Sequence, residues 1–275
     1  MTTAPDIDRS APAIEVKGLT KSFVSRQKGE DGKPRPVTVE AVRGLDLTVR
    51  HGQVFGFLGP NGAGKTTTLR ILTTLLLADA GQATVAGFDV RSQPRQVRRH
   101  VGYVGQLGGA DRDVATGREN VYLAARLYGL ARQQAEERTA RLLDDLDLTD
   151  LADRYVSTYS GGQRRRLEIA LGLVGSPQVL FLDEPTTGLD PQNRANLWDA
   201  VRALRDRGTT VFLTTHYLDE ADALADEVMI VDHGQAVASG PPDELKQQLG
   251  VPTLDDVFLT LTGRSLRDTN QESFS

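Results

Sequence analysis

The order of apolar and polar positions divides this 275-residue chain into short strands and amphipathic helices. Ile14-Glu15-Val16-Lys17 alternates as a strand does, and residues 41–49 repeat the pattern with Leu45, Leu47 and Val49 on one face. Residues 54–58 form a continuous apolar run, the mark of a strand covered on both faces. A glycine-rich turn leads from that run into residues 65–77, where leucines recur at helical spacing. Residues 118–130 and 132–148 also carry apolar positions three and four apart. After Pro177 the alternation returns, with strands at 179–182, 210–214 and 228–231 and helices at 192–207 and 218–225. Strands that alternate with helices predict an α/β fold with a mainly parallel sheet. The helical stretch at about residues 108–176 reads as a lobe inserted into that sheet.

The remaining segments are less regular. Residues 1–12 and 264–275 read as polar tails, the first without the basic and apolar regions of a secretory leader. Residues 241–263 read as one or two short helices beyond a main domain at 13–240. Residues 24–36 are polar, with Gly29, Gly32, Pro34 and Pro36, and read as a long loop.

Composition narrows the chemistry. The chain has no cysteine, which removes disulfides, thiolate metal sites and a thiol nucleophile. Lys and Arg total 32 against 37 Asp and Glu, a net charge of −5, which argues against nucleic acid as a partner. Mean hydropathy is −0.32, and no apolar run reaches the length of about 18–20 residues that spans a bilayer.

Gly59-Pro60-Asn61-Gly62-Ala63-Gly64-Lys65-Thr66 fits the pattern G-x-x-x-x-G-K-[ST], placed between a buried strand and a helix. Such a loop curls its N–H groups around phosphate oxygens, aided by the positive end of the helix. Lys65 supplies a charge to the β and γ phosphates and Thr66 a ligand for Mg²⁺, with Thr67 following in the first turn. Asp183 and Glu184 end the apolar run 179–182. At the edge of a parallel sheet the first carboxylate suits Mg²⁺ and the second suits a general base for an attacking water. Asp232 ends a similar run but has no second carboxylate beside it, and is assigned to the fold. Ser160-Gly161-Gly162-Gln163 opens a further helix and so offers a second anion-seeking N-terminus.

Two such helix ends, about a hundred residues apart and in this order, resemble the ATP-binding subunits of ABC transporters over nearly the whole chain. The resemblance implies a P-loop core with a small antiparallel β element, ATP and Mg²⁺ as cofactors, and hydrolysis to ADP and phosphate. It makes Ser160 to Gln163 the signature motif, preceded by Tyr159 where leucine is commoner. Asp183 and Glu184 match the Walker B pair, and Asp190 lies in the matching D-loop. His216 matches the switch histidine, and Gln106 the Q-loop glutamine that senses Mg²⁺. Phe23 falls where an aromatic, often tyrosine, stacks on adenine.

The stretch 159–170 and the tail Pro252-Thr253-Leu254-Asp255-Asp256-Val257-Phe258-Leu259-Thr260-Leu261-Thr262-Gly263 are similar to the daunorubicin-resistance branch. That likeness implies export of a hydrophobic, antibiotic-like compound. Its implied partners are an integral membrane permease and a second ATP-binding subunit, the same chain in a homodimer. The implied location is peripheral, on the cytoplasmic face of the membrane. Lipid or polysaccharide export is the near alternative. A soluble ABC ATPase acting on DNA or the ribosome would carry a coiled coil, tandem cassettes or a basic surface, and none is legible here. A P-loop kinase would have no use for Ser160 to Gln163. Arg164-Arg165-Arg166 is expected to be a solvated face or, by the resemblance, a helix near the signature, rather than a nucleic-acid patch.

Overall fold

The computed structural model describes residues 11–28, 34–105 and 114–263. In chain order the strands are β1 (Ile14–Lys28), β2 (Pro34–Val49), β3 (Val54–Leu58), β4 (Ala80–Val85), β5 (Phe88–Asp89) and β6 (Val101–Val104). They continue with β7 (Val179–Asp183), β8 (Thr210–Thr215), β9 (Glu227–Asp232) and β10 (Gln235–Gly240). The helices are α1 (Lys65–Leu72), α2 (Pro94–His100), α3 (Gly117–Leu127), α4 (Arg132–Asp145) and α5 (Gly161–Leu173). After them come α6 (Pro191–Asp206), α7 (Leu218–Leu224), α8 (Pro242–Leu249) and α9 (Leu254–Thr262).

Two sheets result. One is antiparallel in the order β2-β1-β4-β5. The other runs β10-β9-β3-β8-β7-β6 and is parallel except for β10. Helices α3 to α5 lie in sequence between the neighbouring strands β6 and β7.

Alternation along the central strands decides what covers each face. Phe55, Phe57, Phe181 and Phe212 point to one side, where Leu69 and Leu72 of α1 and Ile14, Leu45, Leu47 and Val49 of the antiparallel sheet close over them. Val54, Leu180, Leu182, Val211 and Leu213 point to the other, against the helices α3 to α6. Leu58, Val228 and Ile230 meet α7, α8 and α9 through Leu218, Leu245, Leu254 and Phe258.

Several sequence expectations change. Within the stretch 24–36, residues 24–28 and 34–36 are strand rather than loop: β1 and β2 stay paired there, Val24 with Thr38, Arg26 with Pro36 and Lys28 with Pro34, and residues 29–33 lie outside the described residues. The side chains of residues 23–25 and 35–40 in this two-stranded ribbon are exposed on both faces, so a polar sequence there need not alternate. β2 is an edge strand, where the missing N–H of a proline costs nothing in the ladder. The first helix stops at Leu72 rather than 77, because Thr74 adopts a left-handed conformation at φ 63°. The strands β4, β5 and β10 and helix α2 have no clear periodicity, being short and half-exposed. The tails 1–10 and 264–275 lie outside the described residues.

Phe212 holds the centre of one core face, with ring centroids 5.4 Å from Phe55, 5.6 Å from Phe57 and 5.5 Å from Phe181. Truncation there removes a fully buried ring between three others. Phe212→Ala is expected to lower unfolding free energy by about 3–5 kcal/mol. A denaturant titration measures it, with the slope of the transition checked for unchanged two-state behaviour.

Candidate functional site

Strand register builds the site. Leu58 is level with Thr215, and Asp183 is level with Thr214, so the C-terminal ends of β3, β7 and β8 stand side by side. Chain leaving β3 passes through Gly59, Pro60, Asn61, Gly62, Ala63 and Gly64 before α1 begins. Gly64 takes φ 98°, and a Cβ there would lie 2.1 Å from the Ala41 carbonyl oxygen, so only glycine fits.

Lys65 is 5% exposed and donates from Nζ to the carbonyls of Gly59 at 2.8 Å and Pro60 at 3.1 Å. Its ammonium is also 3.4 Å from Glu184 Oε1. Burial pulls the Lys65 pKa below its ordinary value, against the opposing pull of Glu184 and Asp183. Asp183 is 1% exposed, and its Oδ1 accepts from Thr66 Oγ1 at 3.2 Å and Thr214 Oγ1 at 2.6 Å. Burial pushes the Asp183 carboxyl up, and the two hydroxyls only partly offset it.

Glu184 adopts φ 47°, a left-handed conformation rare for a residue with a Cβ. Its N–H donates to the Thr214 carbonyl at 3.0 Å and lies 3.1 Å from the Thr214 hydroxyl. His216 Nδ1 is 3.2 Å from Glu184 Oε2, an ion-pair distance without hydrogen-bond alignment. Burial raises the Glu184 pKa, but His216 and Lys65 together outweigh burial and hold it below the ordinary carboxylate value. Two adjacent carboxylates are thus driven in opposite directions.

Lys65, Thr66, Asp183, Glu184 and His216 therefore converge at one sheet edge. Ser160 caps α5: its Oγ accepts from Gln163 N–H at 3.3 Å, and Gln163 Oε1 accepts from Ser160 N–H at 2.9 Å. These residues pack toward the start of α6, where a Cβ on Gly162 would lie 2.2 Å from Asn193 Oδ1. Asp190 caps α6 by accepting from Asn193 N–H at 2.9 Å, which draws its pKa down. Phe23 is on β1, 41% exposed, paired across the ribbon with Val39 and 5.5 Å from Lys21 Nζ. Gln106 lies outside the described residues. Tyr159 turns out to use what leucine lacks, donating its hydroxyl to the Leu151 carbonyl at 2.7 Å.

The arginine run is not a solvated face. Arg165 is buried, and Arg166 donates to the Leu146 carbonyl at 3.1 Å and to Asp147 Oδ2 at 2.9 Å. A signal for this exists in the sequence: Gly162, Arg165, Ile169 and Gly172 share one buried helical stripe. Thr214, which touches both carboxylate residues, carries no such signal, because nothing in a strand sequence says which hydroxyl will face a charge.

The sequence profile of the ABC transporter family matches residues 42–187. The chain belongs to that family. This ABC protein is an ATP-binding subunit and an ATPase. It is 51% identical over 238 residues to the daunorubicin/doxorubicin resistance ATP-binding protein DrrA of Streptomyces peucetius, covering 86% of this chain and 68% of that one. It is 42% identical over 236 residues to the Nod factor export ATP-binding protein I of Ralstonia nicotianae, covering 86% and 69%. The chain thus spans about two thirds of the length of both relatives. A solved ATP-binding subunit of an ABC transporter superposes with a TM-score of 0.74 at 26% identity, over 91% of this chain and 99% of that one.

The raised Asp183 pKa carries a stability consequence. A group that holds its proton more tightly when folded stabilises the fold at low pH, and that stabilisation is lost as pH rises through the folded pKa. Asp183→Asn keeps an oxygen for Thr66 and Thr214 without the charge. Without nucleotide, it is expected to melt above the parent at neutral pH, with the gap closing as pH falls into the carboxylate range. Thermal melts across pH measure this.

Proposed function

We propose that this ABC ATPase hydrolyses ATP at the described sheet edge to drive export of a hydrophobic, antibiotic-like compound through a separate membrane permease. The convergence of Lys65, Thr66, Asp183, Glu184 and His216 carries the hydrolytic part. Phosphates of ATP take the place of the loop carbonyls around Lys65, with the N–H groups of residues 59–66 as further donors. The adenine stacks on Phe23. Oxygen donors are what Mg²⁺ requires, and Thr66 and Asp183 already share one hydrogen bond. Mg²⁺ would be held by Thr66, Asp183 and Gln106 and would neutralise phosphate charge. No cluster of three metal-ligating His or carboxylate side chains occurs among the described residues, which suits an ion that completes its shell with phosphate and water. Glu184, kept ionised by its neighbours, takes the proton of the attacking water, and His216 contacts the γ-phosphate.

The signature segment 160–163 is the complement to this half-site. We assign it, with Asp190, to the ATP of a second copy, giving a homodimer with two shared nucleotides. Among the described residues no helix is long and apolar enough to cross a membrane, so transport by this chain calls for a membrane-spanning partner. The subunit would then be peripheral, on the cytoplasmic face. The likeness to the drug-resistance protein supports the cargo. The likeness to the Nod factor export protein favours a second reading, in which the cargo is a lipid or polysaccharide.

Glu184→Gln preserves shape but takes no proton. It is expected to slow hydrolysis by about 10²–10⁴-fold while ATP still binds; near-normal turnover would reject the base. Lys65→Ala removes a charge-assisted contact of about 1.5–3 kcal/mol, read as weaker nucleotide binding by titration. Covalently linked dimers test sharing. Lys65→Ala in one half with Ser160→Arg in the other spoils one shared site and leaves one active. Both changes in the same half spoil both sites; activity there, with none in the split arrangement, would reject the shared site. Export is tested by co-expression with candidate permeases and drug-accumulation assays, where unchanged accumulation of every hydrophobic antibiotic tried would favour the second cargo class.

A further inference from the structure

Arg165 lies one turn into α5, only 8% exposed. Its guanidinium donates four hydrogen bonds. Nε reaches the Pro185 carbonyl at 2.9 Å, and Nη2 reaches the Asp183 carbonyl at 3.0 Å. Nη1 reaches the Gly105 carbonyl at 2.8 Å and Glu168 Oε2 at 2.8 Å. Three acceptors are backbone carbonyls at the exits of two neighbouring strands, β6 and β7.

Two of those carbonyls flank Glu184, the residue held at φ 47°. From the opposite side its N–H is fastened to the Thr214 carbonyl at 3.0 Å. A side-chain-bearing residue keeps such a conformation only where its surroundings over-determine it. A planar fork with five donors can hold several carbonyls at fixed angles, which the single ammonium of lysine cannot.

We propose that Arg165 is a positioning residue for hydrolysis: by gripping the carbonyls of Asp183 and Pro185, the residues before and after Glu184, it holds the base in its left-handed conformation. The same grip ties Glu184 to Gly105 and to α5, the helix that opens with Ser160. A shift of α5 against the sheet is thereby passed to the base. The inference rests on the proposed role of Glu184 as general base.

The test is steady-state ATPase of the full chain, with kcat and KM measured separately and the melting temperature recorded. Arg165→Lys keeps the charge opposite Glu168 but loses the fork. A base misplaced by near 1 Å lowers the rate by about a hundredfold, so kcat is expected to fall at least tenfold while KM for ATP stays within about threefold. Glu168→Gln leaves the three carbonyl bonds in place and is expected to keep kcat near the parent value. Parental kcat in Arg165→Lys overturns the proposal. So does an equal loss in Glu168→Gln, which would make the ion pair the operative feature. Failure of Arg165→Lys to fold also overturns it, by assigning the side chain to core stability. Glu184→Gln runs in the same assay. Lost turnover there beside parental turnover in Arg165→Lys removes only the positioning role. Retained turnover in Glu184→Gln removes the base role and the inference with it.

Discussion

A buried negative charge organises this molecule. Asp183 sits at the end of β7, almost without solvent, and both Thr66 and Thr214 donate to the same carboxylate oxygen. A carboxylate in that setting is tolerable only when hydrogen-bonded. Its donors come from the first turn of α1 and the end of β8, so satisfying one charge fixes three segments. The requirement reaches further, because Thr214 also meets the N–H of Glu184. The depth of β7, the start of α1 and the turn after Asp183 are thereby made mutually dependent.

Strain and charge are concentrated beside that anchor. Left-handed backbone in a residue with a Cβ costs about 1–2 kcal/mol, and Glu184 carries that cost where Lys65 and His216 meet. Opposed influences decide ionisation here: burial favours the neutral acid in both carboxylates, but only Glu184 has a lysine and a histidine close enough to reverse it. Neighbouring positions in sequence therefore acquire different chemistry from different surroundings. The strained turn lies between a hydrogen-bonded strand on one side and the buried fork of Arg165 on the other.

The departures from sequence expectation have physical causes. Residues 24–36 look like a loop because strand patterning reports burial of one face, and the paired residues 24–25 and 35–36 bury neither. Pairing with its own partner strand satisfies the backbone regardless of side-chain polarity. The three arginines look like a solvated face because charge is normally exposed. Arg165 is buried where carbonyls at the exits of β6 and β7 accept its donors, a pairing no local sequence pattern encodes. Tyr159 is similar: its hydroxyl is explained by a carbonyl eight residues earlier that folding brings back to it.

What the sequence determined by itself was whatever local chemistry encodes. The turn 59–66 needs glycine and lysine wherever it occurs, a buried parallel strand must be continuously apolar, and a serine before two glycines starts a helix. Those features are enough to specify the α/β class, the phosphate loop, the acidic pair and the helix caps, because each depends only on residues close together in the chain. Tertiary structure alone decided the register that sets Leu58 beside Thr215 and Asp183 beside Thr214. It also decided which hydroxyl meets which carboxylate, which arginine enters the core, and how two adjacent acids come to differ. Those outcomes depend on groups distant in sequence meeting in a dry interior, where distance and burial set the energy of each charge.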